Sequence, residues 1–210
     1  MTTPARKQYL DIKSEYDNEI LLFRMGDFYE TFDEDASIIS QELGIALTTR
    51  SMGKNNPIPL AGIPYHSLEK HLSVLIKKGY KVAICEQISE PSESNGIVDR
   101  AVVRVVTPGT ITEDNLLDSN ANNYLVSLVI KNNVAGISFI DITTSEFMTT
   151  QISLDKVNSE ISRLAPKELI ISTQLHSENI DTNNIYVSNI DDHLFDFNLS
   201  QALLKSHFHV

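Results

Sequence analysis

Apolar residues in the first half of the chain alternate between helical and extended spacing. Three apolar positions predict a first helix over residues 4–17, and a wider apolar stripe predicts a stronger helix from Ser67 to Lys78. A third helix is predicted from Asp33 to Leu43, ending at Gly44. β-branched and apolar runs predict the strands Leu21–Met25, two short ones within 45–60 around an Arg50–Pro57 loop, Lys81–Gln87 and Ala101–Thr107. This alternation predicts an α/β domain, a mixed β-sheet flanked by helices.

The second half opens with three consecutive extended segments, which predict a meander turning at Asn132-Asn133. The predicted elements are the strands Tyr124–Ile130, Val134–Ile142 and Glu146–Ile152, the helix Asp155–Leu164, the strands Glu168–Ser172 and Ile185–Val187, and the helix Leu199–Phe208. Pro108-Gly109 and a polar, acidic run over 110–120 separate the halves. We therefore place one domain at 1–115 and a second at 116–210.

Composition places the chain among ordinary globular proteins. Its 210 residues, 41% hydrophobic and 21% charged, suffice for one large or two small domains. No apolar run approaches the roughly 18 residues of a membrane span, and the first residues lack the apolar core of a signal peptide. A lone cysteine, Cys85, cannot form an internal disulfide, so we expect a reducing cytoplasm and an inert thiol in an apolar strand.

Charge is unevenly distributed. The net charge of −11 argues against general affinity for nucleic acids, because neutralising phosphates requires Lys and Arg. Residues 111–210 carry 5 Lys/Arg against 13 Asp/Glu, whereas residues 50–104 carry 8 against 5. Composition therefore permits DNA contact in one region without predicting it.

Four sequence blocks carry more specific information. They are LLFRMGDFYE (21–30), PIPLAGIPYH (57–66), VAICEQ (82–87) and VVRVVTPGT (102–110). In order and spacing these blocks resemble the mismatch-recognition domain of the MutS family. Residues 120–210 resemble, in pattern, the start of that family's connector domain, a ribonuclease H-like α/β fold that we expect to be truncated at Val210.

The resemblance implies a DNA-binding module for mispaired or looped duplex in post-replicative mismatch repair. It further implies a homodimeric full-length protein whose ATPase uses ATP and Mg²⁺, a MutL-type partner at the connector, and a bacterial, nucleoid-associated cytoplasmic location. Gly53-Lys54 is followed by Asn55 rather than Ser or Thr, so it is no Walker A motif. We expect the ATPase to lie beyond Val210, leaving no catalytic residue, cofactor, metal or membrane contact in these residues.

Within this resemblance Phe28 is the expected wedge and Glu30 its polar companion. A mispaired base differs from a paired one chiefly in stacking and stiffness, so a protein that detects many mismatches does well to test deformability. Phe28 has no polar group that needs a partner inside the base stack. Glu30 lies two residues on, which in an extended segment places it on the same face. Burial and phosphate repulsion would both raise the pKa of its carboxyl group.

Further residues are expected to position the duplex rather than read it. Candidate phosphate contacts are Arg50, Lys54, Arg100 and Arg104. Gly62 and Pro64 are expected in a tight, donor-poor turn through which backbone approaches DNA. One position departs from the family pattern, since Thr49 stands where relatives often carry a second cation.

Other interpretations remain open at this point. Phe28 alone would suit a core aromatic, Asp33-Glu34-Asp35 a favourable helix start rather than a metal site, and the six His residues form no convincing ligand set. A nuclease is a rival, with Asp141 and Glu146 as candidate acids but no clear third and fourth partner. The acidic residues 111–210 alternatively suit a protein-interaction module.

Overall fold

The computed structural model describes residues 3–51, 57–89, 98–112, 121–175 and 180–209. The chain separates into two units, Met1–Pro108 and Gly109–Val210. The predicted boundary at 115/116 falls outside the described residues and stays a prediction. No helix in the described part of the chain is long and apolar enough to cross a membrane.

The first unit is a six-stranded mixed sheet with helices packed on it. Its elements are α1 (Pro4–Lys13), β1 (Ile20–Met25), β2 (Phe28–Phe32), α2 (Asp33–Leu43), β3 (Thr48–Ser51), β4 (Pro57–Pro64), α3 (Leu68–Lys77), β5 (Val82–Gln87) and β6 (Arg100–Val106). The strand order is β3-β4-β2-β1-β5-β6. Among the described strands, β1 and β5 pair in parallel and the other neighbours are antiparallel. The predicted α/β class is confirmed.

An aromatic cluster joins α1 to one face of this sheet. The Tyr9 ring meets Phe23 and Phe32 edge to face, with ring centroids 5.5 and 4.7 Å apart. All three side chains are buried, together with Leu21 and Cys85. Phe23 pairs with Glu30, so the face that carries Phe28 and Glu30 is continuous with this buried cluster.

A hairpin that the sequence reading missed links β1 to β2. Met25 pairs with Phe28 across the two-residue turn Gly26-Asp27, and Gly26 has a φ of +61°. Such a turn needs positive φ, which glycine adopts without steric cost. The sequence pattern predicts a strand that ends before Gly26 but gives no local signal that a second strand begins at Phe28.

The prediction of a tight turn at Gly62 and Pro64 is wrong. β4 runs straight through to Pro64, pairing Gly62 with Glu30 and Pro64 with Phe28. Pro64 has φ −60° and ψ 139°, values compatible with extended backbone. β3 pairs with β4 only as far as Leu60, so beyond that point a proline costs no hydrogen bond to β3.

The second unit is also α/β. Its elements are β7 (Tyr124–Lys131), β8 (Val134–Asp141), β9 (Glu146–Ser153), α4 (Val157–Leu164), β10 (Glu168–Ser172), β11 (Tyr186–Ile190) and α5 (Phe197–Phe208). The sheet order is β11-β10-β7-β8-β9, with β10 parallel to both neighbours. Asn132 and Asn133 form the predicted turn with φ values of +50° and +62°. The mixed sheet agrees with the expected connector domain.

The glycine of the Pro108-Gly109 pair is explained by its close contact with β10. The Gly109 backbone N–H donates to a carboxylate oxygen of buried Glu168 at 3.1 Å. A Cβ at Gly109 would lie 2.8 Å from the Glu168 Cβ, closer than carbon atoms tolerate. Glycine is therefore required where this segment meets β10.

Candidate nucleic-acid interface

Phe28 stands at the start of β2 with its side chain exposed. It is 47% exposed, whereas the next residue, Tyr29, is 3% exposed. Strand alternation places the two side chains on opposite faces. On the face of Phe28, exposure falls along β2 from Phe28 to buried Phe32, so Phe28 is exposed because it lies at the turn end of the hairpin. The reading of Phe28 as a core aromatic is wrong. A large apolar ring at a hairpin end is instead available for contact.

Side chains on the opposite face anchor the turn that presents Phe28. The Arg24 guanidinium lies 4.2 Å from the Tyr65 ring centroid, 5.5 Å from that of Tyr29 and 3.7 Å from the Glu86 carboxylate. The Tyr29 hydroxyl also donates to Glu86. The Tyr65 backbone N–H donates to the Asp27 carbonyl at 2.9 Å. These contacts tie both ends of the turn to the sheet.

Arg24 and Tyr65 are the residues that sequence reasoning missed. Both lie inside the matched blocks, and the signal for Arg24 is a cation within an otherwise apolar strand, two residues before Gly26. Burial, followed by the hydrogen bond to Glu86, raises the pKa of Tyr29 to about 12, so the hydroxyl stays a donor at neutral pH.

Glu30 lies on the same face as Phe28, as predicted. Its Cα pairs with Gly62 on one side and with Phe23 on the other. A Cβ at Gly62 would come within 3.6 Å of the Glu30 Cγ and 3.0 Å of the Tyr29 carbonyl oxygen. Gly62 therefore leaves lateral room for the Glu30 side chain.

Arg50 forms an ion pair with Glu30. Its Nη1 lies 2.9 and 3.1 Å from the two carboxylate oxygens. The Arg50 side chain is 47% exposed, whereas that of Glu30 is 18% exposed. Burial raises the pKa of Glu30 above its usual range, and the positive charges of Arg50 and Arg100 only partly oppose that rise.

The remaining predicted cations are placed differently. The Arg100 guanidinium lies 4.9 Å from the Phe23 ring centroid and donates to the Arg24 carbonyl and the Gln8 side chain. Arg104 pairs with Ile84, ahead of a β-bulge between Ile84 and Cys85, and so faces the other side of the sheet.

The predicted duplex contacts thus divide by position. Arg50, Gly62 and Pro64 lie beside Glu30 and Phe28, and Arg100 lies on the same face but is engaged by the protein. Arg104 is not brought to this group, and Lys54 falls outside the described residues. A role of any of these residues in contacting DNA stays a prediction.

The two candidate nuclease acids have structural partners. Asp141 is buried and accepts hydrogen bonds from the Asn123 N–H and from the N–H and hydroxyl of Thr143. Burial works to raise the pKa of Asp141, but these hydrogen bonds outweigh it and lower the pKa. Glu146 accepts from the Tyr124 hydroxyl at 2.7 Å. Both carboxylates lie at the turn end of the β8–β9 hairpin and bind it to the start of β7.

The carboxylates considered as metal ligands at the start of α2 are paired with cations and backbone groups of the protein. Asp33 pairs with Arg6, and Asp35 accepts from the Leu21 N–H and Lys13. Burial raises the pKa of Cys85 to about 12, which keeps the thiol protonated and unreactive. Across the described ranges, no group of three or more His, Cys, Asp or Glu side chains is arranged to hold a metal ion.

Comparison with known proteins assigns both units. The family model of MutS domain I matches residues 3–115, and that of MutS domain II matches residues 123–210. A DNA mismatch repair protein MutS from Dehalococcoides mccartyi (strain CBDB1) is 50% identical over 208 residues, 99% of this chain and 24% of the relative. One from Methanococcoides burtonii is 47% identical over 218 residues, 99% of this chain and 25% of the relative. The chain thus spans about a quarter of the length of the curated relatives it matches. It belongs to the MutS family and comprises that family's domains I and II.

Proposed function

We propose that this chain recognises mispaired or looped DNA duplex in mismatch repair, with Phe28 inserting as a wedge and Glu30 acting beside it. The observation that carries the proposal is the position of Phe28. Its side chain is 47% exposed directly after the two-residue turn of a hairpin, within the region that matches MutS domain I. The names of the relatives, DNA mismatch repair proteins, support it.

The energetics favour a wedge at weakened sites. Inserting a side chain between base steps costs on the order of a few kcal/mol in unstacking, and less where pairing is already broken. Stacking of an aromatic ring on a base returns about 1–3 kcal/mol whatever the base is. The balance is unfavourable in an intact duplex and favourable at a mismatch, so one ring detects many different lesions.

Binding of the full-length protein to two duplexes tests the proposal. The duplexes share one sequence apart from a single mismatched pair, and fluorescence anisotropy at fixed salt gives both dissociation constants. We expect tighter binding to the mismatched duplex. Equal affinity for the two would contradict the proposed function.

Glu30 supplies discrimination in this proposal. Its carboxylate is repelled by the phosphates of an intact duplex, whereas at a mismatch the displaced base offers a hydrogen-bond partner. Partial burial already raises the pKa of Glu30 in the free protein. The negative phosphates of bound DNA would raise that pKa further and so favour the protonated carboxyl group, which can donate a hydrogen bond.

Glu30→Gln is expected to tighten binding to the matched duplex and so to lower the preference for mismatched DNA. Because DNA raises the Glu30 pKa, mismatch binding takes up a proton. Affinity is then highest below the Glu30 pKa of the free protein and falls as pH rises through the higher pKa of the complex. Each unit of difference between those pKa values changes affinity about tenfold.

Titration of mismatch affinity against pH in the wild type and in Glu30→Gln checks this expectation. The variant should lose the component of pH dependence that Glu30 provides. Glu42→Gln, which removes a carboxylate held by Lys78 away from this face, is the matched control. Unchanged discrimination and an unchanged pH profile in Glu30→Gln would sink the assigned role.

The remaining family properties are proposals for the full-length protein. We place a homodimer, an ATPase using ATP and Mg²⁺, and a MutL-type partner at the connector among them, in a bacterial, nucleoid-associated cytoplasmic setting. The Gly53-Lys54-Asn55 sequence does not fit an ATP-binding loop, so nucleotide chemistry is assigned to no residue of this chain.

A further inference from the structure

We infer that Arg50 is a releasable counter-ion for Glu30: it masks the carboxylate in the free protein, and a phosphate of bound DNA competes for its guanidinium and uncovers Glu30 for the bases. We call this ion pair the Arg50–Glu30 latch. The inference rests on the proposed function and adds to it a device that couples backbone contact to base inspection.

The geometry of the pair suits release. Both hydrogen bonds come from one nitrogen, Nη1 of Arg50, rather than from the two-nitrogen fork that makes arginine–carboxylate pairs strong. The Arg50 side chain is 47% exposed, so a phosphate can reach it without rearrangement of the core. Arg50, the partner that must move, is about half exposed, and pairs with such access to solvent are worth on the order of fivefold in an equilibrium constant. A competing phosphate therefore suffices to open it.

The sheet register explains why these two residues meet. Arg50 pairs with Ile58 on β4, and Glu30 pairs with Gly62 on the same strand, so both side chains project from one face. β4 lies between β3 and β2, and Gly62 has no side chain to block the path across it. The ion pair depends on β4 being a strand, because β4 holds β3 beside β2 and so brings Arg50 to Glu30.

Opening the latch leaves Glu30 without an equivalent replacement. The charged groups that face it are Arg50 from β3 and Arg100 from β6. Arg100 is committed to the Arg24 carbonyl and the Gln8 side chain, and it lies over the Phe23 ring. Once Arg50 has moved to a phosphate, Glu30 is relieved only by protonation and a base partner. A mismatch supplies that partner, so the latch penalises binding to intact duplex.

A double-mutant cycle in the full-length protein tests the latch. The dissociation constant for a matched duplex is measured for wild type, Glu30→Gln, Arg50→Gln and the double variant. If Arg50 must leave Glu30 on binding, Glu30→Gln tightens binding both with and without Arg50. The gain in affinity is roughly three- to fivefold larger when Arg50 is present than when it is absent. Additive effects would overturn the inference, because they mean that the pair is unchanged by DNA.

A second measurement needs no DNA. Carbon-detected NMR titration of Glu30 in the DNA-free protein should show a higher pKa in Arg50→Gln than in wild type, since the opposing charge is gone. An unchanged pKa overturns the latch even if Arg50→Gln weakens DNA binding. Arg50→Lys keeps a charge and should restore part of the effect.

The Lys78–Glu42 pair provides a matched control cycle. Its side chains are 48% and 18% exposed, closely matching the 47% and 18% of Arg50 and Glu30. We expect Glu42→Gln and Lys78→Gln to be additive in DNA affinity. Coupling of similar size in this cycle would overturn the inference by tracing the effect to net charge. Failure of the proposed function is a separate result, in which wild type does not distinguish matched from mismatched duplex.

Discussion

Phe28→Ala is expected to abolish the preference of the full-length protein for mismatched over matched DNA. The substitution removes the ring that we propose stacks on a base, an interaction worth about 1–3 kcal/mol, or roughly a 5- to 150-fold change in affinity. Binding that depends on phosphates should persist, because no cation is removed. Anisotropy titrations with the two duplexes measure the effect.

The same substitution should leave the fold intact. Phe28 is 47% exposed, so alanine leaves no cavity, and the thermal unfolding midpoint should match that of wild type. Phe28→Leu is an informative companion, since it retains apolar bulk without a π face and should keep only part of the preference. A Phe28→Ala protein that still favours mismatched DNA would refute the wedge.

Phe23→Ala is expected to have the opposite pattern. Phe23 lies five residues earlier on the same hairpin but is fully buried against Tyr9, with Arg100 over its ring. Loss of a buried phenylalanine side chain costs about 3–5 kcal/mol, a large share of the 5–15 kcal/mol typical of a domain. We expect the first unit to unfold at markedly lower denaturant concentration, with all DNA binding lost.

Urea denaturation followed by circular dichroism measures this destabilisation. Phe28→Ala, the same chemical change at an exposed position, is the control. A Phe23→Ala protein that unfolds at the wild-type midpoint would show that the cluster around Tyr9 is not the core of this unit. Together the two variants separate loss of contact from loss of structure.

Local signals in the sequence sufficed for much of the fold. The apolar stripe of α3, the Asn132-Asn133 turn and the β-branched runs of β5 and β6 each depend on neighbouring residues, and each element was found. β2 was missed because its preceding turn contains a single glycine. β4 was truncated because Gly62 and Pro64 usually signal turns, and only pairing with β2 shows otherwise.

In the candidate site, too, the features that depend on neighbouring residues were predictable and those that depend on strand pairing were not. The shared face of Phe28 and Glu30 follows from alternation within one strand, so the sequence predicted it. The contact of Arg50 with Glu30 requires the register of three strands, which no local pattern encodes. The opposite orientations of Arg100 and Arg104 depend on a bulge beside Cys85. Their spacing of four suggests one face of a regular strand, and the bulge breaks that rule.

The two-residue turn ahead of Phe28 has a consequence for the proposed wedge, because it decides whether the protein or the DNA deforms on contact. Gly26 and Asp27 leave no slack, and cross-strand pairing resumes at once between Met25 and Phe28. Moving the Phe28 ring back would require breaking backbone hydrogen bonds between β2 and its neighbouring strands. The hairpin is therefore stiff, whereas a DNA duplex bends. If Phe28 acts as the proposed wedge, the duplex rather than the protein must therefore deform, and binding then reports how easily the DNA deforms at that step.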